Sequence, residues 1–151
     1  MSAYDQLARL GITLPVANKP AGAFVMTAQT GNVVFVSGHI ARRDGKSWSG
    51  QLGKQLTTEE GKLAARAVAI DLLATLHADI GDLNRVRRIV KALCLVNSTP
   101  EFTEQHLVAN GCSELLAEVF GERGRHARSA FGVAQLPLGA CVEVELVVEV
   151  E

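Results

Sequence analysis

The stretch ACVEVELVVEV, residues 140–150, constrains this chain more than any other. Its even positions, Ala140, Val142, Val144, Leu146, Val148 and Val150, are apolar without exception, while Glu143, Glu145 and Glu149 occupy odd positions. A period of two puts these sets on opposite faces of an extended strand, whereas a helical period would scatter them. The chain must therefore contain a sheet with one face on a core and another that carries carboxylates.

The other segments supply that sheet and its cover. FVMTAQT and VVFVSGHI flank Gly31-Asn32, a dipeptide suited to the positive φ angles of a two-residue hairpin turn. Thr57 and Glu60 fit a capping box that opens a helix over TTEEGKLAARAVAIDLLATLHADIG, stopped by Gly81. Leu63, Ala67, Ile70, Leu73, Ala74 and Leu76 or Ala78 are its expected inward face. VRRIVKALCLVN reads as a strand, FTEQHLVANGCSELLAEVFG as a second helix closed by Gly121, and ARSAFGV as a further strand. A short N-terminal helix over 2–10 ends at Gly11, and Leu136-Pro137-Leu138-Gly139 makes the last turn. Residues 41–53, ARRDGKSWSGQLG, are polar, glycine-rich and aperiodic, which predicts a mobile loop anchored by Trp48. The order is β-β-α-β-α-β-β: an α+β fold with a mixed sheet and both long helices packed on one face, forming one domain over 1–151 with residues 1–21 as an N-terminal extension.

Two helices cover one face only, yet VVFV and the run from Ile89 to Val96 are apolar on both. A second copy of the chain is the simplest cover, which predicts a homo-oligomer with clefts between subunits. Fifteen Lys and Arg against sixteen Asp and Glu give a net charge of −1, which weighs against nucleic acid and anionic membranes as partners. Arg85, Arg87, Arg88 and Lys91 read as a solvated strand start, since one Tyr and one Trp offer little for base stacking. Cys94, Cys112 and Cys141 lack C-x-x-C spacing, and the four histidines never form H-x-x-x-H, so neither a disulfide framework nor a metal site is expected. With no basic leader before an apolar stretch, the expected compartment is the cytoplasm.

GRHARSAFGVAQLP, residues 124–137, puts one long cation, Arg128, in line with Ala130, Gly132 and Ala134, while Ser129, Phe131 and Val133 look like a packing face. On the residues alone, Arg128 could be a solvated arginine or pair with Glu143 across the sheet, and spacing cannot distinguish Glu143 from Glu145 or Glu149.

GNVVFVSGHI, VKALCLVNS, ARSAFGVAQLP and VEVELVVEV together resemble the signature segments of the RidA/YjgF family, the reactive imine deaminases also known as L-PSP endoribonucleases, across about Gly22 to Val150. The LTTEEGKLAARAVA helix and the GERGRHARSA junction look like those of a longer RidA-like subgroup. The resemblance implies a trimer with a chorismate-mutase-like fold and sites between subunits. It implies that Arg128 holds a substrate carboxylate, that Glu143 positions the attacking water, and that Ser37 and Asn110 line the site. Two positions depart from the family pattern: Phe24 stands where a tyrosine is usual, and Ala130 where a cysteine is.

The function implied is hydrolysis of 2-imino or enamino acids to 2-keto acids and ammonia, without a cofactor or metal, in a homotrimer whose ligand is a small 2-imino or 2-keto carboxylate. The alternatives are a trimeric small-carboxylate-binding or sensing protein that does no chemistry, and, less supported by the charge balance, a single-strand endoribonuclease.

Overall fold

A computed structural model describes residues 1–151. Helix α1 (Ala3–Arg9) is opened by a capping box in which Ser2 and Asp5 bond each other's backbone N–H. Tyr4 ties it to the body: its hydroxyl accepts from the Leu83 N–H and pairs with His77 Nδ1, both at 2.8 Å. Strands β1 (Thr27–Thr30) and β2 (Val33–Ile40) form the expected hairpin. Only Gly31 takes a positive φ, 57°, as a turn with glycine at its first central position requires.

Helix α2 (Thr58–Ile80) has the Thr57/Glu60 capping box and ends at Gly81. Strand β5 (Val86–Asn97), helix α3 (Gln105–Phe120), strand β6 (Ala127–Val133) and strand β7 (Val142–Val150) complete the main layers. The sheet order is β1-β2-β7-β5-β6, with β5 and β6 parallel and the other pairs antiparallel. The parallel pair follows from α3, which returns the chain to the starting end of β5 before β6 begins.

Both long helices lie on one face of the sheet. Against them pack Val34, Val36, Ile89, Ala92, Cys94 and the even residues of β7, in one cluster that also takes in Ala3 and Leu7 of α1. The inward face of α2 agrees with expectation at Leu73, Ala74 and Leu76, but Ala64, Ala65, Val68, Ala69 and Leu72 are buried as well, whereas Leu63 is 60% exposed. The helix packs on the sheet along one side and on the neighbouring α3 along another, so its buried arc is too broad for a single stripe to define. Gly111 of α3 meets the Lys62 carbonyl of α2 so closely that any Cβ would collide with backbone.

The other face is bare within the chain. Phe35 is 50% and Phe131 48% exposed there, alongside Leu93, Leu95 and Val147. The expectation for β6 is thus corrected, since its odd residues Ser129, Phe131 and Val133 point to this open face and its even residues lie beneath α3. Residues 41–53 are also not a mobile loop. Strands β3 (Arg42–Arg43) and β4 (Lys46–Ser47) turn at Asp44-Gly45, both with positive φ, and bridges join Ser49 to Ala140 and Leu52 to Ser98. The Arg43 guanidinium sits 4.4 Å over the Trp48 ring, and Leu52 is fully buried.

Candidate functional site

Arg128 is held by the helix above it. Its Nη1 donates to Asn110 Oδ1 at 2.8 Å and to Ser113 Oγ at 3.2 Å, and its Nη2 donates to the His106 carbonyl at 3.1 Å. Asn110 and Ser113 are three apart on α3 and so share a face. A guanidinium has five N–H donors. With these three engaged, one on Nη2 and the one on Nε remain, a pair that matches the two oxygens of a carboxylate. Ala130, next on the same strand face, packs against the core opposite Cys94. At Gly132 any Cβ would press on Ser98 and Gln105.

Beside Arg128 lies a second pair that the sequence reading did not join. Ser113 Oγ is 2.9 Å from His126 Nε2, and His126 Nδ1 is 2.7 Å from the Gly124 carbonyl. The carbonyl can only accept, so Nδ1 carries the proton and Nε2 is the acceptor of the serine hydroxyl. Burial holds the imidazole below its ordinary pKa, and although the Gly124 bond opposes this, the Arg128 charge reinforces it. Ser113, Glu114, Ala117, Arg125, His126 and Arg128 line an open cleft of about 360 Å³. The signal in the sequence was the shared parity of His126 and Arg128 and the three-residue step from Asn110 to Ser113.

Glu143 stands on the opposite face of the sheet. Its register partners are Leu95 on β5 and Ile40 on β2, and Leu95 is in turn paired with Phe131, so this row belongs to the bare face. Arg128 belongs to the row of Ala92 and Leu146 on the helix face. The two cannot form an ion pair within one chain, because the sheet separates them. The Glu143 carboxylate lies over Gly38, where a Cβ would collide with Oε2. Burial raises its pKa and the neighbouring Glu145 charge raises it further.

Ser37 sits where β2 breaks register between Val36 and His39, and its hydroxyl donates to the Val25 carbonyl at 2.6 Å. That bond anchors the segment carrying Phe24, which is half-exposed and shares a cleft with Gly38, Ile40, Arg42 and Leu138. Of the six residues singled out from the sequence, Arg128, Asn110 and Ala130 thus converge on the helix face. Glu143, Ser37 and Phe24 gather toward the other. The cysteines are buried in the core, and burial pushes Cys94 up to about 12 and Cys141 to about 11.

Residues 5–150 match the family model described as YjgF/chorismate_mutase-like, putative endoribonuclease. The chain belongs to this family. It is 52% identical over 145 residues to Protein TCP17 of Trypanosoma cruzi, covering 95% of this chain and 91% of that protein. The solved structure of Atu1372 from Agrobacterium tumefaciens, whose function is unknown, superposes with a TM-score of 0.92 at 42% identity, over 99% of this chain and 92% of that one. A putative endoribonuclease from Shewanella oneidensis gives 0.96 at 29% identity, over 99% and 100%. RidA from an Antarctic Psychrobacter gives 0.57 at 23% identity, over 89% and 94%, which is a likeness of fold. The chain therefore matches the Agrobacterium and Shewanella proteins over nearly its whole length and shares a more distant fold with RidA.

Proposed function

We propose that this YjgF-family protein is an imine deaminase that hydrolyses 2-imino or enamino acids to 2-keto acids and ammonia in clefts between copies of a homotrimer. The observation that carries this reading is the Arg128 guanidinium, fixed by three hydrogen bonds to α3 with a side-on pair of donors unspent. A rigid fork at a cleft suits a carboxylate, because its orientation is fixed before the ligand arrives.

The partner half of the site is supplied by a neighbouring copy. The bare apolar face needs a cover, and the same face carries Glu143, so a copy seated there can bring its own carboxylate toward the Arg128 cleft of the next. In the assembled cleft Arg128 binds the substrate carboxylate and backbone carbonyls engage the imino nitrogen. Glu143 of the neighbouring copy takes a proton from water as its oxygen attacks the C=N carbon. Phe24 supplies a ring without a hydroxyl, Ser37 anchors the segment beneath it, Asn110 orients Arg128, and Ala130 keeps the wall low.

The test is an imino acid made in situ by an amino-acid oxidase, with ammonia and keto acid followed against the uncatalysed rate. Faster release supports the reading, and an unchanged rate overturns it. Phe24 and Ala130 favour one other reading, a carboxylate binder without turnover, which would bind 2-keto acids yet leave that rate unchanged. The family description also names an endoribonuclease. A net charge of −1 and dispersed histidines give that activity less support.

A further inference from the structure

We propose that Ser113 and His126 form a proton relay that drives breakdown of the carbinolamine on a substrate held by Arg128. This rests on the deaminase reading above and adds two residues to it. Hydration and breakdown of an imine move protons at two places. When water adds to the protonated imine, the C–O bond forms, the C=N π pair moves to nitrogen, and Glu143 of the neighbouring copy accepts the water's proton. For breakdown, that proton passes from Glu143 to the amine, and the C–N bond then breaks as its electron pair leaves with ammonia. At the same moment the carbinol hydroxyl must lose its proton as C=O forms. Ser113 Oγ takes that proton while giving its own to His126 Nε2, and the imidazolium returns it to solvent. No electron acceptor is needed.

The geometry suits this one role. His126 is locked by the Gly124 carbonyl in the tautomer whose free Nε2 faces Ser113. Ser113 Oγ accepts from Arg128 Nη1 at 3.2 Å, so the oxygen that exchanges protons touches the group that fixes the carboxylate. His39 makes the same kind of chain, from the Ser37 carbonyl to the Thr75 hydroxyl, but buried in the core; the His126 chain differs in continuing to a guanidinium and opening on a cleft. The charged groups facing His126 are Arg128 from β6, Glu114 from α3 and Arg125 from the link between them. Together with burial, the Arg128 charge keeps the imidazole neutral, as an acceptor must be.

The experiment compares unaltered protein, His126→Gln and Ser113→Ala in the in-situ imine assay, with 2-keto acid binding measured in parallel. Both variants are expected to lose about 10²-fold or more in kcat, with 2-keto acid affinity changed less than about threefold. In the unaltered protein, kcat should fall as the pH drops through a value below 6.5, where His126 gains its proton. That limb should be lost in His126→Gln. Ser113→Ala keeps α3 intact, since alanine is the strongest helix former. Unaltered protein that turns over while both variants keep full kcat overturns the relay and leaves the deaminase reading standing. Equal loss of kcat and of keto-acid affinity also overturns it, since a structural role gives that result. No turnover in the unaltered protein overturns both.

Discussion

The two faces of the sheet hold the two halves of the candidate site in different states of completion. On the helix face, Arg128 is already bonded to Asn110, Ser113 and the His106 carbonyl, and its orientation is settled by the chain's own fold. On the bare face, Glu143 takes part in none of the three ion pairs, and its carboxylate rests over a glycine in a patch that includes half-exposed Phe35 and Phe131. Under the proposed reading, the half that would recognise charge is built by folding, whereas the half that would move a proton waits for assembly. An uncharged partner surface would leave the raised pKa of Glu143 in place, while one that presents a guanidinium would lower it.

The largest effect should come from breaking assembly itself. Phe131→Glu puts a charge on the edge strand of the bare face, next to Leu95 and in line with Glu143. Light scattering should show about three chain masses for the unaltered protein and one for the variant, with turnover abolished and the fold kept by circular dichroism. Turnover by a stable monomer would mean that the two halves need not meet.

Glu143→Gln tests the bare half alone. The amide keeps the shape but cannot take a proton at neutral pH, so turnover should fall about 10²–10⁴-fold with keto-acid binding retained. Glu145→Gln, on the same face, should change turnover little. A pH effect follows as well. The folded pKa of Glu143 is raised above 4.5, so its charge penalises folding at neutral pH, and the penalty disappears as the pH falls below the folded value toward 4.5. In the Phe131→Glu background, where no neighbour faces the carboxylate, Glu143→Gln should raise Tm at pH 7 and leave it unchanged near pH 4. Equal loss of turnover at 143 and 145 would show that strand charge was perturbed, not a specific base.

Arg128→Lys tests the prebuilt half. A lysine has three N–H donors, and Asn110, Ser113 and the His106 carbonyl already occupy as many. Little remains for a ligand, so keto-acid affinity should fall about 10–10²-fold, the worth of a charge-assisted hydrogen bond. Unchanged affinity in a calorimetric titration would make Arg128 a purely structural clasp between β6 and α3.

Much of this contrast was legible in the sequence, and the missing part has a definite cause. The alternation in β7 fixed one face as core and the other as acidic, and Thr57 with Glu60 marked the start of α2 to the residue. The bare face followed from counting helices against apolar strands. Parity within a strand, however, says only that residues share a face, not which face that is relative to a neighbouring strand. The relation between Arg128 and Glu143 passes through β5, where Ala92 pairs with Arg128 and Leu146 while Leu95 pairs with Glu143. No local pattern in any one strand announces which rows meet across β5. The 41–53 hairpin was missed for another reason: Asp44-Gly45 is a turn signal, but strands of two residues are too short to show a period.

The smallest expected effect concerns Leu138, which sits at the rim of the Phe24 cleft with φ 59° and 77% of its surface exposed. A leucine in the left-handed region costs roughly 1–2 kcal/mol, and this one recovers little by burial. Its carbonyl accepts from Ser49 Oγ at 3.1 Å, a bond that belongs to the backbone and survives a change of side chain. Asparagine tolerates the conformation without the extra unfolded-state freedom of glycine, so Leu138→Asn should stabilise the dissociated chain by about 0.5–1 kcal/mol. Strain of this kind persists where a side chain is needed by something outside the local fold. If Leu138 touches the ligand or the neighbouring copy, the variant should gain in chemical denaturation of the Phe131→Glu monomer and lose keto-acid affinity or trimer stability in the assembled protein. A gain in both settings would show that the strain serves neither half of the site.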